Sequence, residues 1–424
     1  MKSKFLTGKI RQKSQNTNCK IFSRCYGKEK FYWQQDQIFF NMLYLMALVI
    51  AAPVIILAVL PCKWRWYIKL AAGTAVLLIA LKMMILRLIG GPLFFAPDLP
   101  GWLLTVSSFL YCTEVLFLIA LLLHSTVRTV IRILLRFQPS ARLDKCLKFR
   151  QKINTVLLIA AAFTAAWGMF NARSVPAVKN IIIRNPHLPA NADNCTIAVL
   201  ADLHIDAVTN QATLQKIIER TNALQADLIV IAGDMVDGTI EQRGQLAGLL
   251  QKLHAPLGVY AVSGNHDCYS GYEDWMKFFA DNHIVMLENK FIRLPNDIVL
   301  AGISDPAIRK TGRQVPEVNT VLGDTARNSY TILLAHRPNG AAANARHGVD
   351  LQISGHTHGG MIRGFDLLVG KFNENFISGL YRVGDMDLYV SNGSAIWSGF
   401  PIRLGRNSEI TLITLQRGTI NSRL

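Results

Sequence analysis

The stretch QISGHTHGGM, Gln352 to Met361, sets two histidines one residue apart, between glycines, directly behind an apolar run. On an extended backbone alternate side chains share a face, so His356 and His358 point one way while Thr357 points the other. Two imidazoles aimed at one spot are either a polar turn or half of a metal site, and the pair alone does not decide. The decision rests on how the other apolar runs in the chain end.

From residue 195 onward short β-rich runs alternate with amphipathic stretches. TIAVLAD, DLIVIAGD, GVYAVSGN, IVLAGIS, YTILLAH and VDLQISGH read as strands buried on both faces, with ATLQKIIERTNALQ and QLAGLLQKLH among the helices flanking them. SGYE, Ser270 to Glu273, has the form of a capping box opening a further helix. The polar residues cluster where these runs finish. Asp202 and His204 follow the first, Asp234 the second, Asn265 and His266 the third, His336 the fifth, and His356 and His358 the last. Strand carboxyl ends are where layered α/β folds bind ligands, so five segments deliver carboxylate, amide and imidazole groups to one rim.

Even with His266 set aside, two aspartates, an asparagine and four histidines are too many donors for one tetrahedral ion. Two ions about 3.5–4 Å apart, sharing a carboxylate, would use the set fully. Its imidazole content favours transition metals such as Mn, Fe or Zn over Ca and Mg.

The order DLH, GDMVDG, GNHD, AH, GHTHGG resembles the calcineurin-like metallophosphoesterases over about residues 195–415. NARSVPAV, GLYRVGDMDLYVSNG and RLGRNSEITLITL are similar to the transmembrane proteins that carry such a domain. The resemblance implies an α+β fold, a four-layer αββα sandwich, preceded here by an all-α bundle of about four transmembrane helices. It implies Asp202, His204 and His358 on one divalent metal ion, Asn265, His336 and His356 on a second, and Asp234 between them. It also implies His266 as the group that stabilises charge or protonates the leaving oxygen, with Asp267 orienting its ring, and a metal-bridging hydroxide as nucleophile. Neither GNHDCYSG nor GHTHGGMI removes a ligand. Arg337, beside His336, is either a phosphate contact or an exposed side chain. Tyr269, Tyr272, Trp275 and Trp397 form either a lip for a lipid substrate or packing for a helix and a hairpin.

Charge separates the chain into two parts. Residues 1–170 hold 22 Lys/Arg and 5 Asp/Glu, whereas residues 171–424 hold 23 of each. A nucleic-acid enzyme would carry its positive field around its reactive rim, so no nucleic-acid partner is expected. The basic excess instead accompanies four apolar stretches, 38–60, 68–89, 102–123 and 153–170, each about long enough to cross a hydrocarbon core of ~30 Å. The connection 125–152, with Arg128, Arg132 and Arg136 a helical turn apart, reads as a basic amphipathic helix on the cytoplasmic face. The positive-inside rule then places the C-terminal part, residues 171–194 as linker and 195–424 as catalytic domain, outside an inner membrane. Residues 1–37 are basic and aperiodic and pull the other way. The expectation is a disordered or untranslated segment, with the chain starting near Met42. Of seven cysteines, only Cys195 and Cys268 fall in the soluble part. They sit at opposite ends of parallel strands and are expected to be free.

These readings point to a membrane-anchored hydrolase of phosphate esters with a lipid-linked or envelope substrate and membrane lipids as surroundings. Two alternatives stand beside it: a pyrophosphate hydrolase resembling the UDP-2,3-diacylglucosamine hydrolases of lipid A synthesis, and a catalytically silent metal-binding module.

Overall fold

The computed structural model describes residues 41–91, 93, 95–139, 147–315 and 317–419. The expectations for residues 1–37, and for the part of the basic connection at 140–146, lie outside the described residues. The chain divides into two compact units, Met1–Met84 and Ile85–Leu424.

In the first unit helix α1 (Asn41–Val59) packs against α2 (Trp66–Ala80) through Ala47, Ala51 and Ala80. Small residues let two apolar helices approach closely where lipid supplies no hydrophobic drive. Helix α3 (Lys82–Gly90) follows a bend of 68°.

The second unit begins within α3 and continues with α4 (Gly101–Phe137) and α5 (Arg150–Arg173). Among the described residues α1, α4 and α5 are long and apolar enough to cross a membrane, and α2 with α3 makes a fourth only if the bent pair is one span. The basic stretch from Arg128 is not a separate helix. It continues α4 without a break to Phe137, because no glycine or proline lies between Trp102 and Gln138 to stop it.

The rest of the unit is a mixed α/β fold on two six-stranded sheets. The first has the order β1 (Ala177–Asn185), β12 (Glu409–Arg417), β2 (Thr196–Leu200), β3 (Leu228–Ala232), β4 (Val259–Val262), β5 (Val285–Met286). The second runs β10 (Gly379–Val383), β11 (Met386–Val390), β9 (Leu351–Ser354), β8 (Thr331–Ala335), β7 (Val299–Ile303), β6 (Lys290–Arg293). The expected linker 171–194 is thereby corrected. Its β-branched run NIIIRN belongs to β1, which pairs in parallel with β12 over nine residues.

Alternation along the strands sorts their side chains between layers. Ile197, Val199 and Val230 meet Leu300, Ile332, Leu334 and Ile353 between the sheets. Ala198, Leu200 and Ile229 point the other way, onto Leu214, Ile217 and Ile218 of α6 (Gln211–Asn222). The far face of the second sheet buries Ala301 and Leu333 with Val318, Leu322 and Ala341. Strands β2, β3 and β4 are parallel, as are β7, β8 and β9, so within each sheet the carboxyl ends of the trio finish side by side. Cys195 and Cys268 are free.

The expected capping box at Ser270 is absent. Gly271, in the left-handed region at φ 106°, precedes the helix Tyr272–Asp281. The Ser270 hydroxyl instead accepts from Gly238 N (3.1 Å) and donates to Val236 O (3.3 Å).

Candidate metal centre

The loops leaving β2 and β3 run side by side: Asp202 N donates to Gly233 O and His204 N to Asp234 O, both at 3.0 Å. Close approach needs small residues here. A Cβ on Gly355 would lie 2.6 Å from Asp202 Oδ2, and one on Gly264 would collide with Asp234. Asp202, His204, Asp234, His356 and His358 all have φ between 42° and 71°. Non-glycine residues in this region cost of order 1–3 kcal/mol each and collect at functional sites, where the surroundings over-determine them.

These five residues and His336 are buried or nearly so, and they converge in two groups. Asp202, His204 and His358 present ligand atoms within 4.8 Å of one another, and so do Asp234, His336 and His356. In the first group His204 Nε2 lies 3.1 Å from His358 Nε2, which is 3.9 Å from Asp202 Oδ1. In the second, His336 Nε2 is 3.2 Å from both Asp234 Oδ2 and His356 Nδ1. Asp234 Oδ2 also stands 3.7 Å from His204 Nε2, so one carboxylate touches both groups. Asn265 is buried beside them, with Oδ1 accepting from Arg337 Nη2 at 3.2 Å.

These spacings fit a transition metal. Ligand atoms held about 2.1 Å from an ion in a tetrahedron lie roughly 3.4 Å apart. The two imidazole nitrogens facing each other at 3.1 Å must share either a proton or a cation.

The hydrogen bonds behind the site correct one expectation. Asp267 does not orient His266. Its carboxylate accepts from the backbone N–H groups of Met235, Val236 and Gly264 at 2.8–3.1 Å and so ties the loop after β3 to its own segment after β4. The partner of His266 is Asp237, whose Oδ1 lies 2.6 Å from His266 Nδ1 while its Oδ2 lies 3.1 Å from His204 Nδ1. Asp237 stands in the quoted GDMVDG three places after Asp234, and that spacing was the available signal. Arg403 is a second residue the sequence did not single out. Fully buried, it donates to the carbonyls of His358 (2.6 Å), Asn392 (2.6 Å) and Ala395 (2.8 Å). Its Nη2 also lies 3.3 Å from His358 Nδ1. Arg337 is neither free nor merely exposed, since its Nε meets buried Asp305 at 2.7 Å.

The electrostatics follow from burial among charges. Burial works against protonation of His204, yet Asp237, Asp234 and Asp202 outweigh it and push the ring up to about 9. In the same balance Asp234 and Asp202 lift His336 to about 10. Burial, helped by the neighbouring His336 and Arg337, holds His356 well below the usual histidine value, and burial with His204 and Arg403 does the same for His358. Burial pushes Asp202 up, whereas His336, His266 and His204 overcome burial and hold Asp234 far down.

The four aromatic residues divide. Trp275 is fully buried and donates from Nε1 to Gly238 O, and Tyr272 is buried with its hydroxyl on Glu288. Tyr269 and Trp397 instead face His266, with ring centroids 6.1 and 5.7 Å away.

Residues 195–360 match the family profile of the calcineurin-like phosphoesterases. A Danio rerio protein, transmembrane protein with metallophosphoesterase domain, is 31% identical over 340 residues, 77% of this chain and 76% of that one. A protein of Helicobacter pylori described as an uncharacterized metallophosphoesterase is 32% identical over 282 residues, 66% of this chain and 73% of its own. Among solved structures, a dimetal phosphatase from Danio rerio aligns with a TM-score of 0.30 at 11% identity, covering 48% of this chain and 88% of that one.

Proposed function

The chain belongs to the calcineurin-like metallophosphoesterases, metal-dependent hydrolases of phosphate esters, and from that premise we propose a membrane-anchored enzyme with a binuclear centre acting on lipid-linked phosphate. The fold reads as the four-layer αββα sandwich of that family. Asp202, His204 and His358 hold one divalent ion; Asn265, His336 and His356 hold the other; Asp234 is shared. The observation that carries this reading is the single Asp234 carboxylate oxygen lying 3.2 Å from His336 and 3.7 Å from His204, between two ready ligand sets.

When bound, Mn, Fe or Zn neutralises phosphoryl oxygens and brings water's deprotonation near neutral pH. The chain's own contribution is geometric and acid–base. His266 has Nδ1 fixed on Asp237, so Nε2 remains to deliver a proton to the departing oxygen. Asp234 Oδ1 accepts from His266 N at 2.8 Å and keeps that ring beside the centre. Low effective dielectric within the rim strengthens each of these contacts.

Anchoring is supported by the apolar helices and by the relative's name. The basic end of α4 belongs in this reading on the cytoplasmic side of an inner membrane, with the catalytic domain opposite. A reporter fused to the C-terminus tests that placement; cytoplasmic activity of the reporter overturns it. The hydrolase itself is tested with full-length protein in detergent, loaded with Mn and given bis(p-nitrophenyl) phosphate. Turnover should exceed that of Asp234→Ala and His266→Ala, and a wild-type rate no higher than that of Asp234→Ala would leave a silent metal-binding module.

A further inference from the structure

The connection between α3 and α4 contributes to the reactive rim. Phe95, 5% exposed, sets its ring edge-on to His266 with centroids 5.1 Å apart and leans on Tyr269 at 5.5 Å. Its carbonyl accepts from Trp397 Nε1 at 3.1 Å. Phe95, Tyr269 and Trp397 thus surround the ring proposed to protonate the leaving group. None of them belongs to the ligand set, and Phe95 comes from a segment between apolar helices rather than from the catalytic fold.

A second set of contacts fixes the level of this wall. Segment 396–404 packs on α4 and α5 inside their apolar stretches. Ser108 Oγ donates to Ser398 O at 3.0 Å, Arg403 N donates to Gly168 O at 2.9 Å, and Ile402 packs with Cys112 and Ala165. Ser108 lies about 10 Å along α4 from its start, and Gly168 about 8 Å from the end of α5. Trp102, Trp167 and Phe170 occupy those same helix ends and are 55–69% exposed. Exposed aromatic residues at the ends of apolar helices mark the headgroup level of a bilayer. Arg403, bonded to Gly168 at that level, also holds the His358 carbonyl.

We propose that Phe95, Tyr269 and Trp397 form a subsite for the apolar part of the leaving group of a bilayer-resident phosphate ester. This rests on the hydrolase reading and adds where the lipid portion sits. The oxygen of water joins phosphorus, the P–O bond to the lipid oxygen breaks, and that oxygen takes the proton on His266 Nε2. The proton lost by water replaces it, so the products are a lipid alcohol and the phosphate. An apolar wall next to the proton donor favours leaving groups that carry a chain over small soluble ones.

The test uses full-length, Mn-loaded protein in detergent with butyl, octyl and dodecyl phosphates and their methyl diesters, quantifying the released alcohol. Wild-type kcat/KM should climb with chain length. Phe95→Ala should lower the dodecyl-to-butyl ratio about tenfold, and Phe95→Leu should keep most of it. Calorimetric binding of non-hydrolysable dodecyl phosphonate supplies a readout without turnover, with Kd about tenfold weaker in Phe95→Ala. An unchanged ratio and unchanged Kd in that variant overturn the subsite. Faster butyl phosphate turnover overturns it too, because Phe95 would then be a plug. Phe95-dependent phosphonate binding without turnover of any ester would instead keep the subsite and sink the hydrolase.

Discussion

The two candidate ligand groups that meet at Asp234 are supported by different means. Around Asp202, His204 and His358 the supports are charged side chains: Asp237 on His204 and buried Arg403 on His358. Around His336, His356 and Asn265 they are mostly backbone and a neutralised pair. His336 Nδ1 meets Ala232 O at 2.8 Å, and Arg337 is matched by Asp305. Asp234 and Asp202 act on both His204 and His336, while Asp237 is added on the first side and Asp305, already paired with Arg337, on the second. The difference lies in the direct supports: a buried carboxylate backs His204, where a backbone carbonyl backs His336. A divalent ion should therefore be held more tightly by the first.

The most severe way to break the comparison is to remove the residue both pockets share. Asp234→Ala should lose both metals by elemental analysis and more than about a thousandfold in kcat/KM. If it keeps one ion at full occupancy, Asp234 is not common to the two pockets. Next in size, Asp237→Asn should cost about 10–100-fold in metal affinity or activity by loosening His204 and His266. Asp267→Asn separates scaffold from site. One amide oxygen cannot serve the three N–H groups that Asp267 receives, so its cost should appear in stability, about 1–3 kcal/mol in denaturant unfolding. An activity loss in Asp267→Asn matching that of Asp237→Asn, with unchanged stability, would restore Asp267 as the orienting residue.

Sequence made some of this legible and concealed the rest for identifiable reasons. Asp202, Asp234, His336 and His356 each follow a short run dominated by aliphatic residues, so their convergence is legible in the sequence even though LQIS carries Gln352 and Ser354. Strand β1 is not, because NIIIRN lies between prolines, and its partner β12 is more than two hundred residues away. Asp267 looked like the partner of His266 because it is adjacent. In the short helix Asn265–Tyr269, however, neighbouring side chains diverge by about 100°, which sends Asp267 to the loop backbone and leaves His266 to Asp237. Arg403 and Phe95 carry no motif, and only tertiary contact reveals them. The charge pattern from Arg128 does not show that this run continues α4 as far as Phe137.

A smaller effect tests the asymmetry between pockets directly. After chelation, stepwise addition of Mn or Zn should fill the wild-type protein in two phases. His204→Ala should abolish the tighter phase, while His356→Ala should remove only the weaker one and keep one ion per chain. Equal losses in the two variants would mean that the flanking charges do not grade the pockets.

The smallest effect concerns Arg337, whose Nη2 occupies the same Asn265 oxygen that the weaker pocket would offer to its ion. Arg337→Ala frees that oxygen and leaves Asp305 without its cation beside the pocket. Both changes favour metal, so the weaker phase should tighten about two- to fivefold, the scale of one partly screened charge. The same guanidinium is 30% exposed at the rim and within reach of an anionic substrate, so KM should rise while metal affinity improves. Opposite movement of the two quantities is the signature to measure. If metal affinity weakens instead, Arg337 supports Asn265 as a ligand, and the second pocket also depends on a charged side chain.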